Sequence, residues 1–178
     1  MSTGVLLVSN EQRMSDMELD ALLEAHRKAE LDQRDVEATL ATMTESPYIF
    51  FIATLTGGKD RETVREFYQT MLSQLPSDME WLPLSRTLGR DQAVIESILS
   101  FTHDIRMDWI LPGIPATGKC AQIPMAIVFS FKEGKLKSER VYWDLASTLA
   151  QLGVLDEPNL PISRAEAARA LKAFVGRS

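Results

Sequence analysis

Two histidines, a few isolated carboxylates and one cysteine carry the chemistry this sequence can offer near neutral pH. His103 closes an alternating stretch in which Ala93, Ile95, Ser97, Leu99 and Phe101 share its face, and Asp104 follows it. Imidazole titrates near working pH, so at a pocket rim it would act as general acid or base. A hydrogen-bonded histidine holding the strand end is the alternative. Glu139 has the strand parity of Val141 and Trp143. A carboxylate among apolar neighbours holds its proton more tightly and can work as acid or base near neutrality, while pairing with an arginine such as Arg106 would make it structural. Asp144 lies between strand-like and helix-like residues, the place of an N-cap as well as of a catalytic acid. Asp108 is the remaining carboxylate candidate. His26 sits on the apolar face of a predicted helix, suited to the core or the rim of a pocket. Trp109 and Trp143 could stack on a flat substrate or simply pack the core. Cys120 has no activating neighbour.

The elements that must position these groups read as follows. From Ser15, the residues Leu19, Leu22, Leu23, His26 and Ala29 recur at helical spacing. Asp35 is placed to cap a short second helix with Val36, Leu40 and Met43, and Asp60 a third with Val64, Phe67, Tyr68, Met71 and Leu72 on one face. Between them, Tyr48 to Ile52 reads as a strand ended by a Thr56-Gly57-Gly58 turn. Beyond Pro76 the period changes to two. Strands are predicted at Trp81–Leu88, Gln92–His103, Ala121–Phe131 and Leu136–Trp143, with Lys132-Glu133-Gly134-Lys135 a tight hairpin. Asp144 would cap a short helix stopped at Gly153, and Ser163-Arg164-Ala165-Glu166 has the form of a capping box opening a last helix. Helices segregated from antiparallel strands make an α+β fold with the sheet wrapped onto the helices.

Composition narrows the function classes. The chain has 178 residues, 45% hydrophobic and 25% charged, with a net charge of −6. That charge, without a Lys/Arg cluster, gives no attraction to nucleic acid or an anionic membrane. One cysteine forbids an internal disulfide, and two histidines with it fall short of an ordinary zinc set, so no metal is expected. No apolar run approaches the ~20 residues of a membrane span, and the short apolar start lacks the marks of a signal peptide. The expected location is the cytoplasm. Three segments are expected: a loose arm over 1–14, a pocket domain over 15–155 and a helical extension over 156–178.

Several motifs in fixed order complete the reading: Phe101-Thr102-His103, Pro115-Ala116-Thr117-Gly118-Lys119, Glu133-Gly134-Lys135, Glu139-Arg140-Val141-Tyr142-Trp143-Asp144 and Gln151-Leu152-Gly153. Together they resemble the SnoaL-like branch of the nuclear transport factor 2-like superfamily, from about His26 to Leu155. The resemblance implies a cone-shaped roll, with a strongly curved antiparallel sheet and N-terminal helices around an apolar pocket. It also implies frequent dimerisation through the outer face of the sheet and enzymes that use no organic cofactor or metal. The polyketide cyclases of the branch carry an acid and a histidine at positions that align with Val141 and Ile127, both apolar here. Other relatives carry an Asn-His pair at Phe50-Phe51.

The resulting expectation is a cofactor-independent acid/base enzyme of isomerase, cyclase, dehydratase or hydratase type, acting on a hydrophobic polyketide- or terpenoid-like molecule. His103 is the expected main acid/base, with Asp144, Asp108 or Glu139 orienting it. His26, Tyr48, Phe51, Trp109, Ile127, Val141 and Trp143 are the expected substrate contacts. A homodimer is expected, from the apolar Val94 and Ile98 on the second face of the long strand. A non-catalytic binding module of the same fold is the alternative.

Overall fold

The computed structural model describes residues 14–156 and 158–175, so the expected N-terminal arm, Met14 apart, lies outside the described residues. Helix α1 (Asp16–Arg27) begins at Ser15 with a capping box. The Ser15 hydroxyl accepts from Glu18 N–H, and the Glu18 carboxylate accepts from Ser15 N–H at 2.7 Å. The helix passes without a break into a π-helical turn, Lys28–Asp32. Asp35 and Asp60 cap α2 (Val36–Ala41) and α3 (Arg61–Ser73), as their positions predict. The apolar stripe of α3, from Val64 to Leu72, is buried.

Six strands follow the order β2-β1-β6-β5-β4-β3: β1 (Met43–Phe51), β2 (Thr56–Gly58), β3 (Glu80–Leu88), β4 (Gln92–Thr102), β5 (Cys120–Lys132) and β6 (Lys135–Trp143). The sheet is curved and unclosed. Two features depart from the sequence reading. Thr56-Gly57-Gly58 is not only a turn but an edge strand pairing with β1, and β1 itself starts at Met43. The sheet is also not wholly antiparallel, because β1 runs parallel to β6. Gly58 is needed where it stands: a Cβ there would lie 2.4 Å from the Val64 nitrogen, so its absence lets β2 meet the start of α3. The β5–β6 hairpin turns through Glu133 and Gly134, both at positive φ (54° and 72°), the tight turn that suits twisted strands.

The inner face carries Ala93, Ile95, Leu99 and Phe101 of β4 and Ile123, Met125, Phe129 and Phe131 of β5, packed with Leu19, Leu23 and the α3 stripe into one core. Beyond the sheet come α4 (Leu145–Gln151) and α5 (Glu166–Val175). Helix α5 packs against β5 and β3, the two strands that flank β4. Ile98, which points outward from the middle of β4, is fully buried but lies outside the inner-face cluster. Helix α5, whose Ala168 is equally buried, packs against the strands on either side of it. The capping box expected at Ser163 does not form: its hydroxyl lies 3.5 Å from that of Ser147, and the Glu166 carboxylate pairs with Arg169. No helix among the described residues is long and apolar enough to cross a membrane.

Candidate functional site

A cavity of ≈ 80 Å³ lies between the inner face of the sheet and the first and third helices. At ~10–15 Å³ per water on such a measure, it has room for several waters or one compact organic ring. Its wall is mostly apolar, with Leu23, Phe51, Trp81, Trp109, Met125, Ile127 and Val141 prominent. The polar exceptions are His26, Glu30, Glu139 and two arginines. Arg27 is tied to Glu24 and Asp32, and Arg86 to Asp20, so neither is free to receive an anionic ligand.

His26, from α1, and Glu139, from β6, form the centre of the site. The His26 Nε2 lies 2.6 Å from Glu139 Oε1, with both side chains almost fully buried. On the other side of the ring, Nδ1 is 2.6 Å from the Thr42 hydroxyl. That hydroxyl donates its single proton to the Thr39 carbonyl at 2.6 Å, so it must accept from Nδ1–H. The imidazole is thus fixed with Nε2 toward Glu139, and at 2.6 Å a proton has to lie between the two. Burial alone would strip the imidazole of charge, but the Glu139 carboxylate outweighs it and raises the His26 pKa above its ordinary value. An imidazolium–carboxylate pair results.

Tyr68, on the buried stripe of α3, completes the arrangement. Its hydroxyl lies 3.3 Å from Glu139 Oε1 and 3.2 Å from His26 Nε2, and burial together with the nearby carboxylates keeps the phenol protonated. Glu139 Oε1 therefore takes both protein contacts, while Oε2 has no hydrogen-bond partner among the described residues. Glu30 stands on the π-helical turn with Oε2 3.7 Å from His26 Nε2. Burial and the Glu139 charge, opposed by His26, push the Glu30 carboxyl up to about 8. His26, Glu30 and Glu139 also form a grouping that could hold a cation, their ligand atoms lying within 4.8 Å of one another. The 2.6 Å Nε2–Oε1 separation is that of a hydrogen bond; ligands of one ion, each ~2.0–2.2 Å from it, would have to spread apart.

The structure thus joins Glu139 with His26, and sets Phe51, Trp109, Ile127 and Val141 on the same cavity wall. His103 is elsewhere. It is fully buried, its Nδ1 is 3.3 Å from the Thr117 hydroxyl, and Nε2 has no partner among the described residues. Burial lowers its pKa, against a small pull from Asp104. Its backbone N–H donates to Lys119, and its carbonyl accepts from Thr117 and Gly118, so the residue pins the 103–119 connection. Asp144 accepts from Ser147 N–H (3.0 Å) and hydroxyl (2.6 Å), as the cap of α4. Asp108 is bound to Arg106 at 2.5 Å and to Gln74 and Gly113, and the Arg106 bond holds its carboxyl below the usual range. The Tyr48 hydroxyl accepts from Arg140, and Trp143 packs edge-on against Phe51 behind the cavity wall. Tyr68 and Glu30 escaped the sequence reading. The signals were present: a phenol on an otherwise apolar stripe needs a partner, and Glu30 is one helical turn beyond His26.

Comparison with solved structures bears on the whole arrangement. A protein of ketosteroid isomerase-like fold from Catenulispora acidiphila, in complex with trimethylamine, superposes with a TM-score of 0.58 at 16% identity, over 75% of this chain and 93% of that one. A protein described as a SnoaL-like polyketide cyclase from Jannaschia gives 0.64 at 17%, over 82% and 99%. The fold is SnoaL-like. The same fold occurs in the epoxide hydrolase/cyclase-like enzyme SalBIII of salinomycin pyran ring formation, at 0.55 and 20% identity over 74% and 95%. At these identities the likeness is one of fold, and SnoaL-like folds host several chemistries. No family model and no curated protein sequence matches the chain.

Proposed function

We propose that this protein is an enzyme that moves protons on a compact, uncharged, largely apolar molecule, with Glu139 as the base. The observation that carries this reading is the buried His26–Glu139 pair at 2.6 Å on the wall of an apolar cavity. A buried ion pair is a poor source of stability relative to packed hydrocarbon, so its presence beside a cavity favours a chemical use. His26 and Tyr68 hold Oε1, which leaves Oε2 to take a proton from a bound substrate. The apolar wall keeps water out and holds the substrate in one orientation. Two carboxylates, with both arginines already paired, select against anionic ligands. Isomerisation, cyclisation, dehydration and hydration all need this step, and none needs a group the chain does not supply.

The test is a screen of uncharged ketones, epoxides and polyenes for turnover by the wild-type protein and E139Q. Turnover should fall by ~10²–10⁴-fold in E139Q, with ligand affinity changed far less. Full turnover by a folded E139Q would overturn the assignment. A second reading, a carrier for an apolar ligand, draws on Phe51, Ile127 and Val141, which make that part of the wall wholly apolar. It would be favoured by saturable ligand binding with no chemical change in the wild type.

A further inference from the structure

Three titratable groups meet at Nε2 of His26, and only one of them is a cation. His26 can balance the charge of one carboxylate, and Glu139, at 2.6 Å, is that one. Glu30 lies 3.7 Å from the same nitrogen, on the cavity wall. Arg27 of the same helix is engaged by Glu24 and Asp32, and Tyr68 of α3 turns its hydroxyl to His26 and Glu139. No cation is left for Glu30, and burying an unpaired charge is costly, so the group carries a proton. The site therefore presents an anionic carboxylate and a neutral carboxylic acid to the same small space.

The helix geometry supports a selected arrangement. The chain widens from α-helical to π-helical winding at Lys28, so that Glu30 sits in the wide turn directly after His26. Such turns are rare and often mark functional positions. Glu30 makes no hydrogen bond of its own within the described residues, which leaves its carboxyl group available to a ligand.

We propose that Glu30 is the catalytic acid that works opposite Glu139, delivering its proton to the atom that leaves or is protonated as Glu139 removes a proton elsewhere on the same molecule. This rests on the reading of Glu139 as a base. For elimination from a β-hydroxy ketone, the Cα–H bond breaks and its proton goes to Glu139. The electron pair forms the C=C bond, the C–O bond breaks, and the hydroxyl departs as water with the Glu30 proton. Glu139 is then neutral and Glu30 anionic, and no electrons have been gained or lost. The site resets when Glu139 gives its proton to water and Glu30 takes one from water as the product leaves.

The experiment uses racemic 3-hydroxycyclohexanone in deuterium oxide. NMR follows two outcomes of the same enolate, deuterium gained at C2 of recovered substrate and cyclohexenone formed by loss of water. Their ratio refers only to molecules that react, so it is insensitive to how much of a variant is folded. In E30Q the hydroxyl should leave poorly and the enolate should return, raising exchange relative to elimination by at least ~10-fold, as loss of a general acid predicts. A ratio within about twofold of wild type, with E139Q still abolishing both outcomes, would overturn the role of Glu30 and leave Glu139 standing. Exchange and elimination that persist in E139Q would instead overturn the base. If wild type acts on this probe in neither way, the infrared difference spectrum of wild type minus E30Q at neutral pH decides. The C=O stretch of a protonated carboxyl group is expected there, and its absence overturns the proposal.

Discussion

Thr42 has one hydroxyl proton, and giving it to the Thr39 carbonyl determines how His26 is used. T42V keeps the shape and removes the acceptor for Nδ1–H. A buried donor left without a partner costs ~1–3 kcal/mol, so urea denaturation should show a loss in that range, and the His26 pKa followed by NMR should fall. The protonation states also set a pH dependence. Glu30 and His26 both have folded pKa values above their ordinary ones, so the folded state holds more protons than the unfolded chain. Stability from Glu30 is present below its unfolded value near 4.5 and is lost as pH rises through about 8. His26 adds a loss of the same sign above its own unfolded value of 6.5. The lowered His103 acts oppositely, but only as pH falls below 6.5. Between pH 7 and pH 9 the melting temperature should therefore fall, and in E30Q the slope should be smaller. Chelation should change neither melting temperature nor turnover; a large loss with EDTA would place an ion among His26, Glu30 and Glu139. At this scale the sequence was half legible. Glu139 could be read as an inward carboxylate from its strand parity, once the family resemblance said which face points inward. Its partner could not, because the contact joins a residue of α1 to one of β6, and local period carries no information on that pairing.

Among the elements, the connection between β4 and β5 shows how a residue type can mislead. His103 lies on the inner-face parity of β4, which the alternating pattern states correctly. The strand ends at Thr102, however, and the chain folds back so that Thr117, Gly118 and Lys119 bind the backbone of His103 on both sides. The imidazole is enclosed by this loop and does not reach the cavity wall. H103A should accordingly lower stability by roughly 1–3 kcal/mol through the lost Thr117 contact and the space left behind, while turnover per folded molecule stays near wild type. Comparing melting temperature with turnover on the same preparation checks both. The π-helical turn is the counterpart. Helical spacing places Leu19, Leu23 and His26 on one face without difficulty, but it gives no sign that the winding widens after Arg27. Glu30 goes unmarked for that reason. Caps were the most legible elements: Asp35, Asp60 and Asp144 all act where they were expected, because an N-cap depends on its own first turn.

The whole molecule has an outer sheet face that is only partly covered. Phe50 and Tyr142, on the neighbouring strands β1 and β6, are 37% and 43% exposed, and Leu82 on β3 is 45% exposed. A second copy of the chain packed over Phe50 and Tyr142 is the homodimer that best fits this surface. Light scattering should give twice the 19.9 kDa of one chain at micromolar concentration, and F50D should return the monomer. A wild-type monomer under these conditions would count against it. The apolar Ile98, which first suggested such a partner, answers to a different one. Periodicity gave its outward direction correctly, yet it could not say that Ile98 would be buried within its own chain.

Helix α5 is thus a ligand tied to its own receptor. The segment between α4 and α5 acts as a tether, and a tether of modest length supplies its cargo at a local concentration on the order of millimolar. A free competitor for the ground above Ile98, whether another copy or a foreign helix, would have to match that figure before displacing it. Any association of such a chain would use what the tethered helix leaves uncovered, and shortening or lengthening the segment between α4 and α5 would retune which surface is open without altering one residue of the cavity.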